Sequence, residues 1–434
     1  MNTTRSLFLL SLVAALAACE NGGRQAAGPG MPPDPEPPTT PPTTPPPDGD
    51  GWLSVWGGTL TGGDAMNERT VRNITVASVG GHRLRLRLFN EHAENSITIA
   101  RAFVGIRDQE AGDATLIPGS NRQITFNGGQ EGVVIPPGTL SLYSDALDYE
   151  VTAMDQLAVS FYVTGTDNAP GQHSTTWYES WASAEGSGDF AAEETADNYP
   201  AFIDGSTTQI PSGVPLLCNG CTTYALRDIE LQTDEADGAI VLLGSSSLHG
   251  FNTTPGAFLR VGELLSARMN AEIPARWRKS FVHRGIGGDR LDAALASRVD
   301  KDVFDTAGVY GVVVWVTNDL SSSSGAEVIA SYQEMIARAH AAGVNVFCPT
   351  WVPGAQSSQA NLLGERDLVN RWILAGNCDG EVDWGGRSEN PLNENLWRIE
   401  HNSGDNIHGN DLAHADWSIM TPLADWVTLP PPAF

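Results

Sequence analysis

The 434-residue sequence predicts two folded units in series: an all-β sandwich over 51–233, then an α/β domain with a parallel sheet over 234–434. Three observations carry this reading. The chain is longer than one domain usually is. Between 51 and 233, short runs alternate apolar with polar residues and are separated by Gly, Pro and Asn. From about 234, buried apolar runs alternate with helical patterns, which gives a parallel sheet covered by helices.

Ahead of both units, residues 1–19 read MNTTRSLFLLSLVAALAAC. One early cation, Arg5, precedes an apolar run too short for a stable anchor, the pattern of a secretory signal peptide. Its end, Leu16-Ala17-Ala18-Cys19, resembles the lipobox of bacterial lipoproteins. That resemblance implies lipidation of Cys19, which becomes the mature N-terminus. Residues 20–50 are Pro/Thr-rich, cannot form a core, and predict an extended spacer. The expectation is an exported bacterial lipoprotein, held to the outer membrane or cell surface by its lipid alone.

Charge narrows the partners. Lys and Arg number 25 against 52 Asp and Glu, a net charge of −27. Phosphate backbones and anionic lipid surfaces need basic patches, so nucleic acid is excluded as a partner class. Lys279 and Lys301 are the only lysines, and an acidic, Lys-poor surface suits either a saline habitat or plain solubility.

In the first unit, HRLRLRLFN (82–90) alternates Arg with Leu, one face wet and one buried. ITIARAFVGI, RQITFNGG, EGVVIPPG and QLAVSFYVTG repeat the theme. The unit reads as a packing partner or as a carbohydrate-binding, substrate-shaping module. In the second, AIVLL (239–243), SFVH (280–283), VYGVVVWV (309–316), VNVFC (344–348) and GEVDW (380–384) read as strands. Helices are expected over 257–269, 290–304, 325–342 and through LVNRWIL, the third opened by a capping box from Ser324 to Glu327.

With Cys19 set aside, Cys218, Cys221, Cys348 and Cys378 remain, an even number that suggests disulfides in an exported chain. CNGC (218–221) is open to a zinc or redox reading, but no second Cys or His pair lies nearby and the segment looks like a turn. Cys348 ends a strand and Cys378 ends the crossover to the next, so the expected bridges are Cys348–Cys378 and Cys218–Cys221.

Polar residues collect where the parallel strands end: Gly244-Ser245-Ser246-Ser247, HRGIGGDR (283–290), Thr317-Asn318-Asp319 and SGDNIHGN (403–410). Sheets of this kind place their sites outside the carboxyl ends of the strands. In this order the four segments resemble the signature blocks of the SGNH (GDSL) hydrolase family, secreted members with an N-terminal β domain. The resemblance runs through RVDKDVF, ARAHAAGVNVF and TVRNITVASVGGHRLRLRLFN as well. It implies a flavodoxin-like hydrolase domain and ester hydrolysis through an acyl-serine, with no metal or cofactor. Ser246 takes the place of the nucleophile. His408 takes that of the general base, and Asp405 that of its orienting carboxylate. The oxyanion hole falls to the backbone N–H groups of Ser246 and Gly288 and the side-chain amide of Asn318.

Departures from the family pattern are Ser245 for aspartate, Leu248-His249 for a Thr-Asp pair, and Val316 for glycine. They leave the triad positions untouched. Ser245 is expected to hold its loop by hydrogen bonding and Ser247 to point inward. His401 and His414 flank the last block, and His340, late in a helix, suits its C-terminal dipole. The substrate class is small-molecule or carbohydrate esters, short acyl or sugar acetyl. The competing reading is a catalytically degenerate surface glycan-binding protein.

Overall fold

A computed structural model describes residues 51–59, 62, 63, 66, 68–92, 94–165, 171–174, 180–199, 201, 202, 222–354 and 362–432. The longer strands of the first half are β1 (Trp52–Gly57), β2 (Arg69–Val76), β3 (Gly81–Asn90), β4 (Ile97–Ile106), β5 (Gln156–Thr164) and β6 (Leu226–Gln232). β6 lies between β1 and β3 in one antiparallel sheet, and β5 lies between β2 and β4 in another. The Arg–Leu alternation of β3 holds on its apolar face, but the other face is not wet throughout, because Arg87 is fully buried and pairs with Asp228 and Asp305. Leu84, Leu86 and Leu88 are fully buried, in one core with Ile99 and Val104 of β4 and Leu157, Val159 and Phe161 of β5.

The second half carries the parallel strands β7 (Ala239–Gly244), β8 (Ser280–Gly285), β9 (Val309–Trp315), β10 (Asn345–Pro349) and β11 (Gly380–Val382). Their spatial order is β8-β7-β9-β10-β11. The chain therefore starts inside the sheet, runs out one way to β8 and returns past β7 to β9. Such a reversal leaves a crevice at the carboxyl end of β7, where crossovers diverge to opposite sides. Helices α1 (Ser246–His249), α2 (Val261–Glu272), α3 (Leu291–Ser297), α4 (Gly325–Ala341), α5 (Leu363–Ile373) and α6 (Asp411–Met420) accompany the sheet. Both bonds of the capping box at Ser324 and Glu327 are made.

Two helices depart from expectation. α2 begins at Val261 because Phe258 has φ 54°, a left-handed conformation that no helix continues through. The run over 290–304 breaks at Ser297 and resumes as a wide π turn, Asp300–Phe304. That turn carries Asp302 into the interior, where it accepts from Arg227 Nη2 at 3.2 Å and Arg298 Nη1 at 3.0 Å.

The two halves are in contact. Ser280 Oγ of β8 donates to Ser54 O of β1 at 2.5 Å, and the first half's core takes in Ala239, Phe258 and Val282. Arg284, fully buried, is paired with Asp228 of β6 and donates to Gly58 O at 3.0 Å. Charges this deep offset their desolvation only when hydrogen-bonded on several sides, as these are. Cys348 and Cys378 form a disulfide that closes a separation of 30 residues. Cys19, Cys218 and Cys221 lie outside the described residues.

Candidate active site

The first strand of the parallel sheet ends at Gly244, and α1 begins two residues later. A Cβ on Gly244 would fall 2.4 Å from Leu248 Cβ, so only glycine lets this short helix fold back onto its own strand. Leu248 then enters the core, which is why an apolar residue fits there. Ser246 is the first residue of α1, where backbone N–H groups have no intrahelical acceptor. Its neighbours do other work. Ser245, fully buried, meets Thr317 Oγ1 at 3.2 Å and accepts from Thr317 N at 3.4 Å, joining the loops after β7 and β9. Ser247 is buried.

The last block folds as a tight turn built by its own aspartate. Asp405 Oδ1 accepts from the backbone N–H groups of Ile407 at 2.8 Å and His408 at 2.9 Å. Asn406 takes the left-handed φ of 60° that asparagine tolerates better than most residues. This puts the side chains of residues 405 and 408 side by side. Asn410 then caps α6, accepting from Leu412 and Ala413 N–H.

Across the crevice these two segments meet. His408 Nε2 lies 2.8 Å from Ser246 Oγ, and His408 Nδ1 lies 2.6 Å from Asp405 Oδ2. Burial raises the Asp405 carboxyl, but hydrogen bonds from the His408 ring and from the turn's N–H groups overcome it and hold the group at about 2. An ionised carboxylate so placed fixes the imidazole proton on Nδ1 and leaves Nε2 to accept from the serine. His408 is itself buried, with the Phe251 ring 4.6 Å from its own, which keeps it from swinging into solvent.

The remaining predicted site residues lie in the loops after β8 and β9. Gly288 is exposed with φ 77° in the loop after β8. Asn318 donates its side-chain N–H to Asp289 O at 3.2 Å, which ties the third block to the residue beside Gly288. Asp319 caps α3 instead of facing the crevice: its Oδ1 accepts from Leu291 N at 2.8 Å. Burial pushes this carboxyl up to about 7, against the pull of those N–H groups. Val316 is fully buried with negative φ, so this loop needs no left-handed residue at that position. Arg298 Nε anchors the Gly288 loop from beneath through Asp289 Oδ2 at 2.9 Å. A separate cleft of about 390 Å³ is lined by Phe89 and Arg227 of the first half and Ile286 and Lys301 of the second, and by none of the relay residues.

The three other histidines singled out in the sequence, His340, His401 and His414, have structural partners. His401 Nε2 lies 3.1 Å from Asp416 Oδ2, which also accepts from Arg387 Nε at 2.7 Å. This clamps the start of the last block to α6. His414 Nδ1 accepts from Val261 N at 3.1 Å, and burial lowers its ring to about 3. His340 pairs with Asp379 Oδ2 at 2.9 Å, a specific partner beyond the helix-dipole role expected of it. Two residues that the sequence gave no reason to single out touch the relay directly, Phe251 and Asn252. Their only signal is position, just after the glycine that ends α1.

Neither a family model nor a curated protein matches this chain. Solved structures similar to it include a GDSL-like lipase from Bacteroides thetaiotaomicron, at 14% identity and a TM-score of 0.34. That match covers 44% of this chain and 90% of the other. An alpha/beta hydrolase from the metagenome of Lake Arreo, Spain, is 20% identical with a TM-score of 0.34, covering 45% and 97%. The acetylxylan esterase Axe2 from Geobacillus stearothermophilus is 14% identical with a TM-score of 0.32, covering 43% and 94%.

Proposed function

We propose that the protein is a serine esterase that hydrolyses carboxylic esters through an acyl-serine intermediate. The observation that carries this is the unbroken relay from Ser246 Oγ to His408 at 2.8 Å and from His408 to Asp405 at 2.6 Å. His408 Nε2 takes the proton of Ser246 as Oγ attacks the ester carbonyl. The resulting oxyanion is stabilised by the N–H groups of Ser246 and Gly288 and by the amide of Asn318. His408 then returns the proton to the leaving alcohol, and water repeats the sequence on the acyl-serine. Asp405 stays ionised throughout, orienting the ring and stabilising the imidazolium.

The substrates in this reading are short acyl or sugar acetyl esters. A fluorophosphonate probe tests the mechanism: it should label wild type at Ser246 and leave Ser246→Ala unlabelled. p-Nitrophenyl esters and acetylated xylan then assign the substrate. A protein that bound glycan without hydrolysing would take no label.

We infer further, from the sequence of 1–50, that the chain is an exported lipoprotein tethered through Cys19. Cys19→Ala should leave the membrane fraction or remain unprocessed, and unchanged fractionation with unchanged acyl labelling would refute the anchor.

A further inference from the structure

We propose that Asn252 is a positioning residue of this site, holding the Asp405 carboxylate in the one orientation that faces His408. The proposal rests on the esterase reading above and adds a member to its machinery.

The geometry is closed and directional. Asn252 Nδ2 donates to Asp405 Oδ2 at 2.8 Å and to Ser403 Oγ at 3.0 Å. An amide nitrogen has two N–H groups and no lone pair to offer, so both bonds run outward from Asn252. Ser403 Oγ in turn lies 3.0 Å from Asp405 Oδ1 and donates to it. The three side chains thus form a ring around the carboxylate.

What Asn252 adds is specific to one oxygen. Asp405 Oδ1 is already fixed by Ser403 and the two turn N–H groups. Oδ2 accepts from His408 Nδ1 and from Asn252. The imidazole changes its charge during each turnover, whereas the amide is a constant, neutral donor. It pins the terminal torsion of the aspartate, which is otherwise soft, and it introduces no charge to compete for the imidazolium.

The backbone is arranged for this contact. Gly250 ends α1 with φ 89°, and Asn252 follows with φ 68°. Two left-handed residues within three positions turn the chain back across the relay. Between them Phe251 places its ring on His408, and Asn252 reaches the aspartate. The loop that carries the serine is thereby fastened to the loop that carries the acid and base, from a site 153 residues distant in sequence.

Two variants separate the amide from the turn. Asn252→Gly keeps the left-handed backbone free of strain and removes the side chain. Asn252→Asp keeps shape and backbone tolerance but replaces the donors by a carboxyl group. On p-nitrophenyl acetate, both should lose kcat by about 10- to 100-fold, the factor expected for one charge-assisted hydrogen bond, with KM within about twofold. The downfield proton resonance of His408 Nδ1–H, read by NMR on the unliganded protein, should broaden or vanish in both. Asn252→Gly with wild-type kcat and an unchanged resonance would overturn the proposal, showing that the residue serves only the turn. Wild-type behaviour of Asn252→Asp at high pH, where the new carboxyl is ionised and has no proton to donate, would overturn it too. Should Asn252→Gly fail to fold, by circular dichroism, Asn252→Asp decides. Failure of the esterase reading has a different mark: Ser246→Ala would turn over like wild type. The resonance, which needs no turnover, would still decide on Asn252.

Discussion

Replacing Asp405 by asparagine changes one atom, and the structure specifies what that atom does. An amide at 405 can place its NH₂ in either oxygen's position. In the Oδ1 position it would confront three donors: Ser403 Oγ, the Ile407 N–H and the His408 N–H. In the Oδ2 position it confronts the Asn252 amide and the His408 ring. Each unmet buried donor costs about 1–3 kcal/mol. The first orientation leaves the two backbone donors unmet, since the Ser403 hydroxyl can turn and accept. The second leaves one at most, because His408 can shift its proton and accept through Nδ1. The NH₂ therefore faces His408 and forces the proton onto Nε2. That nitrogen then donates to Ser246 Oγ at the 2.8 Å contact and cannot act as base. The expected loss in kcat for Asp405→Asn is about 10⁴-fold, the size of a wrong-tautomer defect in a serine triad. The fold should persist, with unfolding free energy lowered by about 1–2 kcal/mol at neutral pH. Initial rates on p-nitrophenyl acetate, with denaturant unfolding on the same samples, measure both. A variant that keeps about a tenth or more of wild-type kcat would refute the tautomer argument.

The other predictions are more compact. Ser246→Ala should remove ester hydrolysis by about 10⁴–10⁶-fold, while Ser245→Ala keeps most activity and loses about 1 kcal/mol of stability through its Thr317 contacts. The reverse pattern would move the nucleophile by one residue. The carboxyl of Asp405 sits at about 2, below its unfolded value of 3.8, so its contribution is present above pH 4 and lost as pH falls toward 2. The stability gap between wild type and Asp405→Asn should therefore close by about 1–2 kcal/mol between pH 5 and pH 2, and a gap independent of pH would contradict this. Asp319 has the opposite sign: raised to about 7, it favours the fold fully below the unfolded value and loses that contribution as pH rises through 7. Asp319→Asn, which can still accept from Leu291 N, should flatten the decline in unfolding free energy between pH 5 and pH 8; an identical decline in both proteins would show that another group titrates. Removing the Cys348–Cys378 bridge with Cys348→Ser and Cys378→Ser should cost about 2–4 kcal/mol in denaturant unfolding, and an unchanged midpoint would argue against its stabilising role.

Sequence by itself determined the elements whose signals are local. The Arg–Leu period of β3, the buried run of β9 and the capping box of α4 each depend on neighbours within a few residues, so pattern was enough. Three of the four polar segments were legible for the same reason, because they follow directly on β7, β8 and β9, whereas 403–410 stands well beyond the end of β11 at Val382 and was singled out by resemblance. The turn that sets Asp405 beside His408 was legible too, since the aspartate builds it from its own next three residues. What reading along the chain could not supply is any contact whose partner lies far off in sequence. Asp302, in the turn that follows α3, is held by Arg227 from 75 residues away. Asp319, read as part of a site motif, caps a helix that begins 28 residues earlier. Asn252 is an ordinary loop asparagine until the fold brings Asp405 to it. Periodicity reports which face of an element is buried. Only the closed tertiary structure decides which polar groups then stand within 3 Å of one another, because that depends on the packing of every element between them.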